Sequence, residues 1–143
     1  MSKEQHSEAK NALARELRHA LAGYDNIVCA YLFGSEAKGR AGSLSDIDIA
    51  VLLEPNPDID NEKTKIESSL CNILGRSDVD LIVLNEAPFT LAYRVLRDGI
   101  VLTVRNPRAK ENFEVMTIMN YLDFQPVLQR ALETSRQEIL KVR

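Results

Sequence analysis

The stretch that leaves this chain least freedom runs over residues 27–53. The seven residues Ile27–Phe33 are β-branched and aromatic enough to form a buried strand, and Gly34-Ser35 ends that run abruptly. Ten residues later comes Asp46-Ile47-Asp48-Ile49, which opens a second apolar run ending at Leu53. Side chains on a strand alternate between faces, so Asp46 and Asp48 share one side while Ile47 and Ile49 share the other. The isoleucines enter a core and the carboxylates converge. Residues 36–40 are expected to form a short helix; its unpaired first N–H groups, together with the Ser35 hydroxyl, suit a phosphate oxygen.

Two carboxylates on one strand face repel each other and lose hydration when partly buried, so a purely structural role for them is costly. A divalent cation removes that cost. Mg²⁺ takes hard oxygen ligands and leaves room for water and substrate phosphates, and two such ions clamp both oxygens of a phosphoryl or nucleotidyl transfer. Asp-x-Asp alone is a common surface pattern. Behind a strand that ends in Gly-Ser, it points to chemistry.

The rest of the chain supplies elements to carry this unit. Residues 3–22 place Ala9, Ala12, Leu13, Leu17, Ala20 and Leu21 on a helical stripe, with Gly23 as the stop. After the Glu54-Pro55-Asn56-Pro57 turn, Ile59–Leu74 is expected to be a helix with Ile66, Leu70, Ile73 and Leu74 inward, closed by Gly75. A strand over residues 78–84 carries Asp78 and Asp80. Pro88 opens a further helix with Leu91, Val95 and Leu96 inward; Arg94 and Arg97 on it are read as a surface face. A last strand is expected at Ile100–Val104. Residues 107–143 read as one or two helices whose bulky residues, among them Phe113, Met116, Met119, Tyr121, Leu122 and Phe124, mostly pack back on the sheet. Part of that apolar surface is kept in view as a protein-binding face.

Composition narrows the class. A chain of 143 residues with 45% hydrophobic and 27% charged content is expected to be one domain, residues 1–143, with its core at about 25–105 and a helical segment at about 107–143. The net charge of −3 argues against the chain-wide basic footprint of a nucleic-acid binder, and direct nucleic-acid binding is not expected. No run has the apolar length of a membrane span, and residues 1–20 are too charged for a signal peptide, so the expected location is cytoplasmic. Cys29 and Cys71 lie in apolar surroundings without metal-ligand spacing and read as reduced packing residues; His6 and His19 read as exposed.

Gly34-Ser35, ten residues, then Asp46-x-Asp48 resembles the signature of the DNA polymerase β-like nucleotidyltransferase superfamily, and the order of elements agrees over residues 25–105. The short length is similar to that of its minimal nucleotidyltransferase (MNT) branch, antitoxins partnered with HEPN-domain toxins. The resemblance implies an α+β fold of α/β type, a small mixed sheet flanked by helices with C-terminal helices added. It implies Asp46, Asp48 and a third carboxylate on a later strand as catalytic and metal-ligating residues. Asp80 is preferred for that third position and Asp78, nearer the preceding loop, is the alternative. Gly34 and Ser35 would bind phosphate. Lys38 and Arg40 either meet the triphosphate or face solvent. The implied activity is Mg²⁺-dependent transfer of AMP from ATP, with two ions, to a tyrosine hydroxyl of a HEPN RNase toxin, which is thereby neutralised in a hetero-oligomeric complex. The alternatives are a small-molecule nucleotidyltransferase of aminoglycoside type and an antitoxin that acts by binding alone.

Overall fold

A computed structural model describes residues 3–34 and 46–141 of the chain. The residues expected to form the short helix, and with them Ser35, Lys38 and Arg40, lie outside the described residues. So does the side chain of His6.

The chain begins with α1 (Lys3–Leu21), β1 (Ile27–Phe33), β2 (Ile47–Leu53) and α2 (Ile59–Leu74), and continues with β3 (Val79–Val83), α3 (Phe89–Asp98), β4 (Ile100–Val104) and α4 (Pro107–Lys141). The four strands form one mixed sheet in the order β3-β2-β1-β4. β1 pairs antiparallel with both β2 and β4, and β2 pairs parallel with β3 through the α2 crossover. No helix among the described residues is long and apolar enough to cross a membrane.

The period-two alternation of the strands decides what each face receives. On one face, Ile47, Ile49, Val51 and Leu53 of β2 and Val79, Leu81 and Val83 of β3 pack with Leu17 and Leu21 of α1 and Ile66 and Leu70 of α2. Ile47, Ile49 and Ile66 are fully buried, each contributing roughly 1.5–3 kcal/mol of transfer free energy. On the other face, Val28, Tyr31, Ala50 and Leu52 meet Ala92 and Val95 of α3, with Phe113 of α4 packed against them. Asp48 and Asp80 take their parity from this second set, so both belong to the face that α3 and α4 cover.

Local chemistry sets the boundaries. Asp58 caps α2 by accepting a hydrogen bond from the Asn61 N–H at 3.2 Å, and Gly75 closes the helix in the left-handed conformation at φ 65°. At the far end of β2, the Asn85 side-chain amide stands in for a strand partner, accepting from the Leu53 N–H at 2.9 Å and donating to the Leu53 carbonyl at 2.8 Å. Arg18 of α1 donates to the Leu102 carbonyl at 2.8 Å, tying that helix to β4. Cys29 and Cys71 are both free thiols, and burial pushes Cys29 up to about 11, which keeps it an inert packing group.

Three expectations need correction. Ala9 and Ala12 of α1 are exposed; the buried stripe is Ala14, Leu17, Ala20 and Leu21. Ile73 near the end of α2 is 52% exposed rather than inward. The largest departure is residues 107–141, which form a single helix of 35 residues containing Pro126, with Thr117 as its one buried residue among those described. Val115, Met116, Ile118, Met119 and Leu122 are exposed on it and do not pack back on the sheet. One stripe of α4 finds cover within the chain: Phe113 packs against the core on this sheet face, Thr117 is buried, and Tyr121 and Phe124 lie against Tyr93 and Phe89 of α3. The remaining apolar residues point away because a helix turns through 100° per residue.

Candidate active site

The carboxylates gather where β1 ends and where β2 and β3 begin. Asp46 stands just before β2 and is exposed, and the adjoining Ile47 N–H donates to the Asp78 carbonyl at 2.9 Å, which sets the parallel register. That register places Asp48 beside Asp80 and Ile47 beside Val79. On its other side Asp48 is the antiparallel partner of Phe33. Asp48 is half-buried, whereas Asp80 is exposed.

These placements set the electrostatics. Burial raises the Asp48 carboxyl above the usual carboxylate range, and the negative charges of Asp80 and then Asp46 raise it further. Asp48 therefore sits in the negative field of both neighbours. Asp78 behaves differently. It forms a two-pronged ion pair with Arg76, Nε to Oδ1 at 2.7 Å and Nη2 to Oδ2 at 2.5 Å, and the hydrogen bond from Arg76 holds its carboxyl below the usual range. Of the two candidates for the third position, Asp80 shares the register and the field of Asp48, while Asp78 is already engaged.

Gly34 is required here for a steric reason. Its φ of +77° lies in the left-handed region, and a Cβ at this position would overlap Oδ2 of Asp48. The backbone thus crosses directly over the half-buried carboxylate. Beside it lies a cleft of about 260 Å³ lined by Phe33, Gly34, Leu91, Arg94, Arg97 and Asp98. Arg97 is held to Asp98 through Nε at 3.0 Å and Nη2 at 2.9 Å, and its guanidinium sits 6.0 Å from the Tyr93 ring centroid. Arg94 and Arg97 are both exposed, as the reading of a surface face expects, and that face also lines the cleft at the glycine turn. The spacing Leu91, Arg94, Asp98 carries the signal, since residues three and seven apart share a helix face.

A cation fits the donor set. Among the described residues no three acidic, histidine or cysteine side chains close into a ready-made metal cage. Mg²⁺ does not ask for one: it keeps several waters and takes one or two carboxylates together with substrate phosphates. A half-buried carboxyl raised by burial and by two neighbouring carboxylates, next to a cleft that carries Arg94 and Arg97, is the electrostatic setting for such an ion and a phosphate-bearing ligand.

Residues 15–108 match the family described as polymerase beta, nucleotidyltransferase. Over 104 residues the chain is 36% identical to the protein adenylyltransferase MntA of Shewanella oneidensis, a match that spans 72% of each protein. Among solved structures it is similar to that of a toxin–antitoxin with AMP-PNP, at 29% identity and a TM-score of 0.72, covering 86% of this chain and 98% of that one. It is also similar to the complex of a tri-AMPylated Shewanella oneidensis HEPN toxin with its MNT antitoxin, at 28% identity and a TM-score of 0.62, covering 92% and 98% of the two chains. The converging carboxylates, the glycine turn and these matches together show that the chain belongs to the polymerase β nucleotidyltransferase family, in its minimal nucleotidyltransferase branch.

Proposed function

We propose that this protein is a cytoplasmic antitoxin that transfers AMP from ATP to a tyrosine hydroxyl of a cognate HEPN RNase toxin and so neutralises it. The observation that carries this reading is the register of Asp48 with Asp80 under the Gly34 turn, in a chain similar over most of its length to a protein adenylyltransferase.

Asp46, Asp48 and Asp80 are the residues that would hold Mg²⁺. When bound, two such ions neutralise phosphate charge and stabilise the attacking and departing oxygens. Gly34 and Ser35 are the candidates to bind the β- and γ-phosphates, and the absence of a Cβ at Gly34 lets this turn lie directly against the Asp48 carboxylate. Arg94, and Arg97 braced by Asp98, add positive charge along the cleft wall against the triphosphate. Lys38 and Arg40 are further candidates for the same role. Asp80, exposed at the edge of the cluster, meets the acceptor side. The tyrosine oxygen attacks the α-phosphorus, the bond to the bridging α–β oxygen breaks, pyrophosphate leaves, and the phenolic proton passes to the Asp80 carboxylate. Most of the barrier reduction comes from positioning and charge compensation.

The direct test is incubation of the purified chain with ATP, Mg²⁺ and the toxin, followed by intact-mass measurement of the toxin. One or more AMP increments are expected; a toxin that is neutralised with no mass change overturns the enzyme reading.

The third carboxylate has its own test. Asp80→Asn is expected to lower kcat by about 10²–10³-fold while leaving the KM for ATP within about threefold, because it removes a group that acts on the acceptor in the transition state. Asp78→Asn is expected to stay within about twofold of the unmodified protein, since it breaks only a half-buried ion pair away from the reacting groups. Steady-state kinetics on both variants decide the assignment, and the opposite ranking would transfer the role to Asp78.

A further inference from the structure

We infer that the outer face of α4 is the surface on which the acceptor protein docks, an inference that rests on the function proposed above. The inner stripe of α4 is satisfied within the chain: Phe124 packs edge-on against Phe89 at 5.2 Å between centroids, Tyr121 stacks on Tyr93 at 3.7 Å, and the Tyr31 hydroxyl donates to Glu114 at 2.9 Å. The opposite side is apolar as well. Val115, Met116, Met119 and Leu122 are 51%, 66%, 59% and 55% exposed, and a hollow of about 600 Å³ runs over the first three between Glu111 and Asp123. Helices that face water on one side do not carry apolar residues on both.

Three observations select the occupant. The rim of the hollow is acidic at both ends, Glu111 and Asp123, with Asn112 and Asn120 between them. A second copy of this chain, paired about a two-fold axis on this face, would bring acid against acid, so the charge pattern favours a different protein with an apolar helix face flanked by Lys or Arg. Second, the helix continues beyond its last anchor at Phe124: residues 125–141 are all exposed and extend the apolar surface through Val127, Leu128 and Leu132. Third, the match to the MNT antitoxin in complex with its AMPylated toxin covers 92% of this chain. The uncovered remainder is too short to account for α4, so most of this helix has a counterpart in an antitoxin that was solved bound to its toxin. α4 packs on the same side of the sheet that carries Asp48 and Asp80. Two methionines at its centre supply side chains that adapt to a partner's contour.

The experiment measures toxin affinity and AMP transfer together on the full chain, with an RNase-inactive form of the HEPN toxin as probe. The Met116→Asp, Met119→Asp double variant is expected to weaken toxin binding by at least about 100-fold, as loss of a central apolar contact does. Its melting temperature and its affinity for ATP should stay those of the unmodified chain, and its transfer rate should recover at saturating toxin. The charge reversal Glu111→Lys, Asp123→Lys perturbs no packed residue and is expected to weaken the same binding; it decides the matter should the methionine variant fold poorly. Asp48→Asn should bind toxin normally. Toxin affinity unchanged in the charge-reversed protein and in a folded methionine variant overturns the docking surface while leaving the activity standing. A self-associating chain that either variant converts to monomer overturns it in favour of a second copy. Absence of AMP transfer by the unmodified chain, with binding intact, sinks the activity and leaves the surface supported.

Discussion

Asp48→Asn is expected to abolish AMP transfer, by about 10³-fold or more, while making the ion-free protein slightly more stable. The loss would follow from removing the carboxylate proposed as the central ligand of a metal that would supply several kcal/mol of transition-state stabilisation. The gain follows from the sign of the Asp48 perturbation. Its carboxyl is raised in the folded chain by burial and by the charges of Asp80 and Asp46, so the native state holds the proton more tightly than the unfolded one. Stability is therefore lost as pH rises from the ordinary carboxylate range through the raised one, and an amide at position 48 removes that loss. Asp48 keeps contact with solvent, which screens the effect, so the rise in melting temperature at neutral pH should be no more than about 2–4 °C. Adding Mg²⁺ and ATP should reverse the order, since ligand binding stabilises only the chain that retains the site. Calorimetry with and without Mg²⁺ and ATP, beside a transfer assay, reads both signs. Full activity in this variant would remove the carboxylate from the mechanism.

Gly34→Ala should harm both activity and stability, which distinguishes it from the carboxylate change. An alanine at φ +77° costs about 1–2 kcal/mol for the backbone conformation alone. Its methyl group also overlaps Oδ2 of Asp48, so either the turn or the carboxylate must move. A fall in melting temperature of about 4–8 °C is expected, with kcat lower by about 10²-fold because a displacement near 1 Å at a catalytic group is enough for that. Replacing both residues, Gly34→Ala with Asp48→Ala, removes the overlap, and part of the lost stability should return without the activity. A single Gly34→Ala variant as stable and active as the unmodified chain would mean that the turn does not press on Asp48.

Much of this site is legible in the amino-acid sequence because period two is a strong rule. The alternation of Asp46-Ile47-Asp48-Ile49 sends acid and isoleucine to opposite faces whatever the rest of the fold does. The bounds of α2 are equally open to reading, since Asp58 and Gly75 are capping residues with direct backbone consequences. The choice between Asp78 and Asp80 is harder, because an ideal strand puts both on one face. What separates them is the tie to Arg76 and the start of β3 at Val79, which are matters of side-chain partnership. Arg94 and Arg97 escape a reading as cleft residues because helical periodicity says which residues share a face but not what stands across from it. For α4 the apolar count misleads. Apolar residues occur all around that helix, and how many are buried depends on the width of sheet left open beside α3, a quantity the pattern of one helix does not contain.

Pro126 lies two residues beyond the last aromatic anchor of α4, at Phe124. Proline has no amide hydrogen, so the Leu122 carbonyl lacks its helical donor, and the pyrrolidine ring crowds that same carbonyl. The break in the ladder falls where tertiary support ends. Up to that point the backbone amides are protected by packing; beyond it the helix has only its own propensity, which is marginal for a segment of this length in water. Hydrogen exchange along α4 should therefore step down at the proline, and the distal part would gain its protection only when something covers it. Part of the free energy of any association on that segment then goes into ordering it, which keeps the complex weaker, and more easily released, than its apolar area alone would suggest.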